Sequence, residues 1–284
     1  MNASTTLVTG ATGNIGRALV PLLQNAGAKV IAGSRSGEAV NGAPGRVIDY
    51  NDRAALEAAF QDVDTLFLLF PLVPNKRELA RYAIAAARAA GVKHIVRSSG
   101  AGADPHASGS LVRLQGEIDQ IVLDSGIPST LVRPSNFMQN WVAYFAGMVK
   151  SGTVYLSLAE GKTAFIDVRD IAAVDAAILL NPAAHAGKAY TVTGPEALGV
   201  TEVLAEINRA TGSKAVYVPV PEAAAVASMK SMGMDDWTID VMSSLNQATA
   251  AGATAQVTTD VERITGRKPR SFADFVRDHA DAWR

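Results

Sequence analysis

The chain has 284 residues, 48% of them hydrophobic and 19% charged, with 26 basic against 27 acidic side chains and no cysteine. That length suits a large core with a smaller lobe, and the near-zero charge without a basic block excludes a phosphate-reading nucleic-acid surface. The missing thiols exclude disulfides, thiolate catalysis and cysteine metal sites. Four scattered histidines (His94, His106, His185, His279) form no H-x-x-x-H pair, and no apolar run reaches the length of a membrane span. The first apolar run starts within a few residues of Met1, which leaves no room for a signal peptide. A cytoplasmic protein without nucleic-acid or membrane partners is expected, and its oligomeric state, monomer or homodimer, stays open.

In chain order, Thr5-Thr6-Leu7-Val8-Thr9 reads as a buried strand and Ile15 to Ala26 as an amphipathic helix. Between them lies Gly10-Ala11-Thr12-Gly13-Asn14-Ile15-Gly16, a G-x-x-G-x-x-G variant of the dinucleotide turn. Gly10 can take the positive φ of the tight turn, Gly13 admits a pyrophosphate to the backbone, and Gly16 lets the helix approach the strand. The helix N-terminus adds unpaired N–H donors and a partial positive charge. Further strands are expected at Lys29–Ala32, Arg46–Ile48, Thr65–Leu69, His94–Val96 and Ser129–Val132, with helices near 53–60, 76–90 and 110–125 between them. Near-continuous apolar strands alternating with helices predict a parallel sheet covered on both faces.

After Pro134 the pattern predicts a helix over about 136–150, strands at 153–156 and 163–167, a helix from Val168 to about 180 capped by Asp167 or Asp170, and a strand at 189–193. From 200 onward the reading is mostly helical with one strand at Val216–Val218, and the Ala/Thr-rich stretch 248–256 reads as a mobile loop. The fold class is therefore α/β: a doubly wound parallel sheet (Rossmann fold) with a smaller, mainly helical C-terminal substrate lobe. Residues 1–150 form the NAD(P)-binding domain and 151–284 mainly the substrate lobe, with 164–195 returning to the main sheet.

The residue ending the second strand selects the nicotinamide cofactor: an acid accepts from the ribose 2′-OH of NAD, and an arginine accommodates a 2′-phosphate. Here that strand ends Gly33-Ser34-Arg35-Ser36, with no acid before Glu38. Arg35 can pair with a phosphate, flanked by two hydroxyls, so NADP(H) is expected, with NAD(H) as a possible second cofactor. Asp49, after the third strand, meets adenine or caps the helix that follows.

Several segments in this order resemble the NmrA-like branch of the atypical short-chain dehydrogenases/reductases: Gly10–Gly16, Gly33–Arg35, Val47–Tyr50, Gly91–His94, Arg133–Asn140 and Ile166–Asp170. Phe70–Pro74 and Met232-Gly233-Met234 resemble in particular the NAD(P)H azoreductase and quinone oxidoreductase members of the family. The resemblance assigns Gly10, Thr12, Gly13, Asn14 and Ile15 to the pyrophosphate turn and Arg35 to the 2′-phosphate. It sets Leu69, Phe70 and Pro71 along the cofactor edge, Ser98 and Ser99 beside the nicotinamide ribose, and Pro134, Ser135, Asn136 and Phe137 at the nicotinamide. Phe137 reads equally as core packing, and Ser98 and Ser99 as turn formers.

Many short-chain dehydrogenases carry Tyr-x-x-x-Lys on the helix after the fifth strand. By register with Gly116-Glu117 those positions are Leu111 and Gln115 here, and no tyrosine lies between Tyr82 and Tyr144. Gln115 can hydrogen-bond a ribose hydroxyl but cannot act as a cation. Carbonyl or alcohol chemistry, which needs a general acid at the oxygen, is disfavoured. What remains is hydride transfer to a flat conjugated acceptor such as a quinone or azo compound, with catalysis by proximity. Phe137, Asn140 and Trp141, with Met232 and Trp237 of a methionine-rich segment, are the candidate pocket for a small aromatic or conjugated substrate, or else ordinary inter-lobe core. The family also includes NADP(H)-binding redox sensors without catalysis, which is the alternative reading.

Overall fold

The computed structural model describes residues 4–284. The chain begins β1 (Thr5–Thr9), α1 (Asn14–Asn25), β2 (Lys29–Ser34), β3 (Gly45–Val47), α2 (Arg53–Ala59), β4 (Thr65–Leu68), α3 (Lys76–Ala89) and β5 (His94–Ser98). It continues α4 (Ser110–Leu123), β6 (Ser129–Pro134), α5 (Asn140–Ala143), α6 (Ala146–Lys150), β7 (Thr153–Leu156), α7 (Val168–Leu180), α8 (Pro182–His185) and β8 (Ala189–Val192). The last elements are α9 (Val200–Thr211), β9 (Val216–Pro219), α10 (Glu222–Ser231), α11 (Asp236–Ala250), α12 (Asp260–Thr265) and α13 (Phe272–His279).

Two compact units result: 1–106, 114–133 and 168–191 in the first, 107–113, 134–167 and 192–284 in the second. The first is built on a seven-stranded sheet in the order β3-β2-β1-β4-β5-β6-β8. Neighbours from β3 to β6 run parallel, with Val8 of β1 level with both Ala32 of β2 and Phe67 of β4. Every residue of β1, β4 and β5 is buried, as strands covered on both faces require. α1 packs on α7, and α2 packs on α3. The chain moves outward from β1 to β3 and then returns to β4 on the other side of β1. The order therefore reverses between β1 and β4, and in open α/β sheets ligands bind outside the carboxyl ends of the strands at such a switch point.

Asp52 caps α2 by accepting from the Ala55 N–H at 3.0 Å, while Asp49 accepts from the Asn51 N–H at 2.9 Å in a turn of its own. Capping thus belongs to Asp52. α7 starts directly after Asp167 and carries Asp170 in its first turn.

The second unit holds the parallel pair β7–β9 and a core of Met138, Trp141, Val154, Phe165, Leu204, Phe272, Phe275 and Trp283 with their neighbours. The helix expected over 136–150 is two short ones. The Asn136 carbonyl and Met138 N–H are taken up by Ile166 at 2.9 Å each, which holds 136–138 extended and delays the helix to Asn140. The strand expected at 163–167 is reduced to isolated bridges of Thr163 with Leu198 and Ile166 with Phe137. The stretch 248–256 is tied down rather than free. The Thr254 carbonyl accepts from the Ala164 N–H at 2.9 Å, and its hydroxyl donates to the Lys162 carbonyl at 2.8 Å.

Candidate active site

At the carboxyl end of β1 the chain turns through Gly10 at φ 66°. The Gly13 N–H donates to the Gly10 carbonyl at 2.9 Å, and the Ala11 N–H donates to the Gly33 carbonyl at 3.0 Å, which fixes the turn to β2. A Cβ on Gly16 would stand 2.4 Å from the Gly10 oxygen and 2.5 Å from Ala11 Cα, so no side chain fits there. A Cβ on Gly10 would meet Leu69 Cδ2 at 3.0 Å, which places Leu69 against the turn. Thr12 is half-buried, Asn14 is exposed, and Ile15 anchors the helix inside the core. α1 has neither a side-chain cap nor an acid in its first turn, so no side chain covers its leading amides. A glycine cradle with free amides and no competing carboxylate fits a diphosphate.

Arg35 is exposed just beyond β2 and forms no ion pair among the described residues. Ser34 is buried behind it. Its Oγ lies 3.3 Å from Ser36 Oγ and accepts from the Gly37 N–H at 3.1 Å, so the loop is a held turn presenting the guanidinium. At the end of β4, the Leu69 N–H donates to Thr9 Oγ1 at 2.9 Å and the Leu69 carbonyl accepts from the Tyr50 hydroxyl at 2.9 Å. Phe70 is buried with its ring 5.0 Å from that of Tyr50, and Pro71 is exposed. Burial holds the Tyr50 phenol above its usual range.

At the end of β5, Ser98 and Ser99 are buried, and the Ser99 hydroxyl finds no partner among the described residues. Gln115 of α4 is half-buried beside Gly100. Its Oε1 accepts from Arg97 Nη2 at 2.7 Å and from Lys76 Nζ at 3.4 Å. Arg97 is fully buried: its Nε lies 3.3 Å from Asp119 Oδ1, and Asp119 Oδ2 accepts from Arg133 Nε at 3.0 Å. Burial lowers the Arg97 pKa to about 10 against the opposing pull of Asp119. Lys76, only 4% exposed at the first position of α3, is pushed down to about 7, first by burial and then by the charge of Arg97. Sequence reasoning missed Lys76, Arg97 and Tyr50. A lysine opening a helix looks like any solvated lysine, and only the strand order brings α3, β5 and α4 to one place.

In the second unit, Pro134 and Ser135 are buried, Asn136 and Phe137 half-buried, and the latter two are fixed by their backbone pairing with Ile166. Asn140 opens α5. Trp141, which the sequence leaves between a pocket wall and the core, is 1% exposed and packs edge-on against Phe145, Phe165 and Phe272, which makes it a core residue. Gln139 donates to Asp167 Oδ1 at 3.1 Å. Met232 is 63% exposed after α10 and Trp237 half-buried in the first turn of α11; neither belongs to the core around Trp141. The described residues contain no cluster of three or more potential metal ligands, and no helix among them is long and apolar enough to cross a membrane.

The family model for the NmrA-like family matches residues 2–275. The chain belongs to the NmrA-like family. This NmrA-like chain is 38% identical over 282 residues to the NAD(P)H azoreductase of Xenophilus azovorans, with 98% of each chain covered. It is 37% identical over 284 residues to (4-alkanoyl-5-oxo-2,5-dihydrofuran-3-yl)methyl phosphate reductase of Streptomyces griseus, again with 98% of each covered. Among solved structures, an NADPH-dependent quinone oxidoreductase from Escherichia coli, in complex with NADPH, superposes with a TM-score of 0.87 at 28% identity. That alignment covers 96% of this chain and 99% of the other.

Proposed function

We propose that this NmrA-like protein is an NAD(P)H-dependent oxidoreductase of the azoreductase and quinone-reductase type. It prefers NADPH and passes hydride directly to a flat conjugated acceptor without a Tyr-x-x-x-Lys dyad. The observation that carries this reading is the glycine turn at the β1–β4 switch point, with Arg35 and no acid at the end of the neighbouring strand. Gly10, Thr12, Gly13, Asn14 and Ile15 would hold the diphosphate, and Arg35 with Ser34 and Ser36 the 2′-phosphate. Leu69, Phe70, Pro71, Ser98, Ser99 and Gln115 would border the rest of the dinucleotide. Family resemblance assigns Pro134, Asn136 and Phe137 to the nicotinamide, and the aromatic and methionine-rich pattern offers Phe137, Asn140, Met232 and Trp237 for the acceptor. When bound, the cofactor supplies a hydride from its nicotinamide ring.

The names of the relatives support the acceptor class. A quinone, an azo bond and an acyl-substituted unsaturated lactone are all electron-poor conjugated systems that spread arriving charge over several atoms. Such acceptors tolerate the Leu111 and Gln115 found at the dyad positions, because solvent can supply the proton. The test is NADPH oxidation against a panel of quinones and azo dyes, with NADH in parallel. Turnover of at least one acceptor, faster from NADPH, is expected. Tight NADPH binding with no turnover across the panel would sink the reductase reading in favour of a cofactor-binding regulator.

A further inference from the structure

α4 lacks a cation at Gln115, yet two cations reach that residue from other elements. Lys76 comes from the start of α3 and Arg97 from β5, and both donate to the same atom, Gln115 Oε1. Two donors on the oxygen settle the orientation of the amide, so its Nε2 points away from the cations with both hydrogens available. No acceptor among the described residues takes them. Gly100, next after Ser99 at the carboxyl end of the sheet, leaves that group uncovered: a Cβ there would lie 3.7 Å from Nε2 and 3.5 Å from Gln115 Cγ, in contact across the amide. The charge around it is also unbalanced, since Lys76, Arg97 and Arg133 face the single carboxylate of Asp119. Cations held on the amide oxygen polarise the N–H bonds and make them stronger donors.

We propose that Gln115 Nε2 is a pre-aimed hydrogen-bond donor for a ligand oxygen at the carboxyl end of β5, and that Lys76 is the positioning residue that, with Arg97, keeps it aimed. This rests on the dinucleotide reading of the unit. The oxygen has two sources of the same chemistry: a sugar hydroxyl of the cofactor, or the carbonyl oxygen of the acceptor as it gains charge.

Lys76 is the member of the cluster whose charge changes near neutral pH. Arg97 titrates only near 10, the Tyr50 phenol is pushed upward, Arg133 is paired with Asp119, and the neighbouring Arg77 is paired with Glu117. The hold on Gln115 is therefore full well below pH 7 and relaxes as the pH rises through it.

The experiment compares the intact wild type with Gln115→Glu, Lys76→Met and Lys76→Arg. Equilibrium binding of NADH and NADPH is followed by fluorescence from pH 6 to 9, and quinone turnover is measured at saturating NADPH. Gln115→Glu keeps an oxygen for both cations and loses the donor. If the oxygen belongs to the sugar, Gln115→Glu weakens NADH and NADPH by the same factor, about tenfold. If it belongs to the acceptor, both Kd values hold and quinone kcat falls by about as much. In either arm Lys76→Met should shift the same parameter by a smaller factor and flatten its pH dependence, and Lys76→Arg should restore the acid-side value at all pH. NADH serves as the reference because it lacks the titrating 2′-phosphate. The proposal is overturned if Gln115→Glu moves neither parameter by more than about threefold, or if Lys76→Met keeps the wild-type pH profile in both. Should the wild type turn over no acceptor, the reductase reading fails and the binding arm alone decides the role of Gln115.

Discussion

The proposed preference for NADPH rests on one side chain, Arg35. It stands exposed on a turn held by Ser34 and Ser36, with no acid at the end of β2 to accept a ribose 2′-OH. Arg35→Ala should weaken NADPH by roughly ten- to a hundredfold, the worth of a charge-assisted bond to phosphate, and leave NADH within about threefold. Titrating both cofactors checks this, and equal losses would remove Arg35 from the 2′-phosphate. A second residue tests the buried electrostatics. Asp175 of α7 is fully buried, and neither carboxylate oxygen has a partner among the described residues. Burial raises its pKa well above the usual value, so the folded state keeps a proton that the unfolded state releases above about pH 4. Stability therefore falls as pH rises from there through the raised pKa. Asp175→Asn cannot ionise, and its melting temperature should gain on the wild type by more than about 3 °C between pH 4 and pH 8. A pH-independent gap would show that the carboxyl is not held neutral.

At the scale of elements, the turn between β1 and α1 is tightly constrained. Gly16 touches the Gly10 carbonyl and Ala11 so closely that Gly16→Ala must push α1 off the strand. The expected cost is about 3 kcal/mol, with cofactor binding lost alongside, as denaturant unfolding and NADPH titration would register. A Gly16→Ala variant with unchanged stability and affinity would show that the close approach is dispensable. The same local logic made the pattern legible here, since strand, glycine turn and helix are set by neighbours in sequence. It failed at 136–150, where Ile166 of a distant segment takes the backbone groups a helix would have used. It left Trp141 open between pocket wall and core, because an aromatic beside a pocket and one inside a core have the same local spacing, and the structure puts it in the core.

For the whole molecule, ligand binding and stability are one equilibrium. A dinucleotide that binds the folded chain alone adds about 2.7 kcal/mol at a hundred times its Kd, which for a chain of this size raises the melting temperature by roughly 5–10 °C. NADPH should produce that shift at lower concentration than NADH, and a flat melting curve at saturating NADPH would count against the switch-point site. By itself, the sequence determined the doubly wound sheet, the glycine turn and the arginine after the second strand. Each of these is written in periodicity or in residues a few positions apart. Only the tertiary structure decided the company of Gln115. Lys76, Arg97 and Asp119 lie on three different elements, and the order β1-β4-β5-β6 brings those elements to one end of the sheet. A lysine's burial, and with it the pKa that makes the residue useful, depends on what packs over it and leaves no mark in the residues beside it.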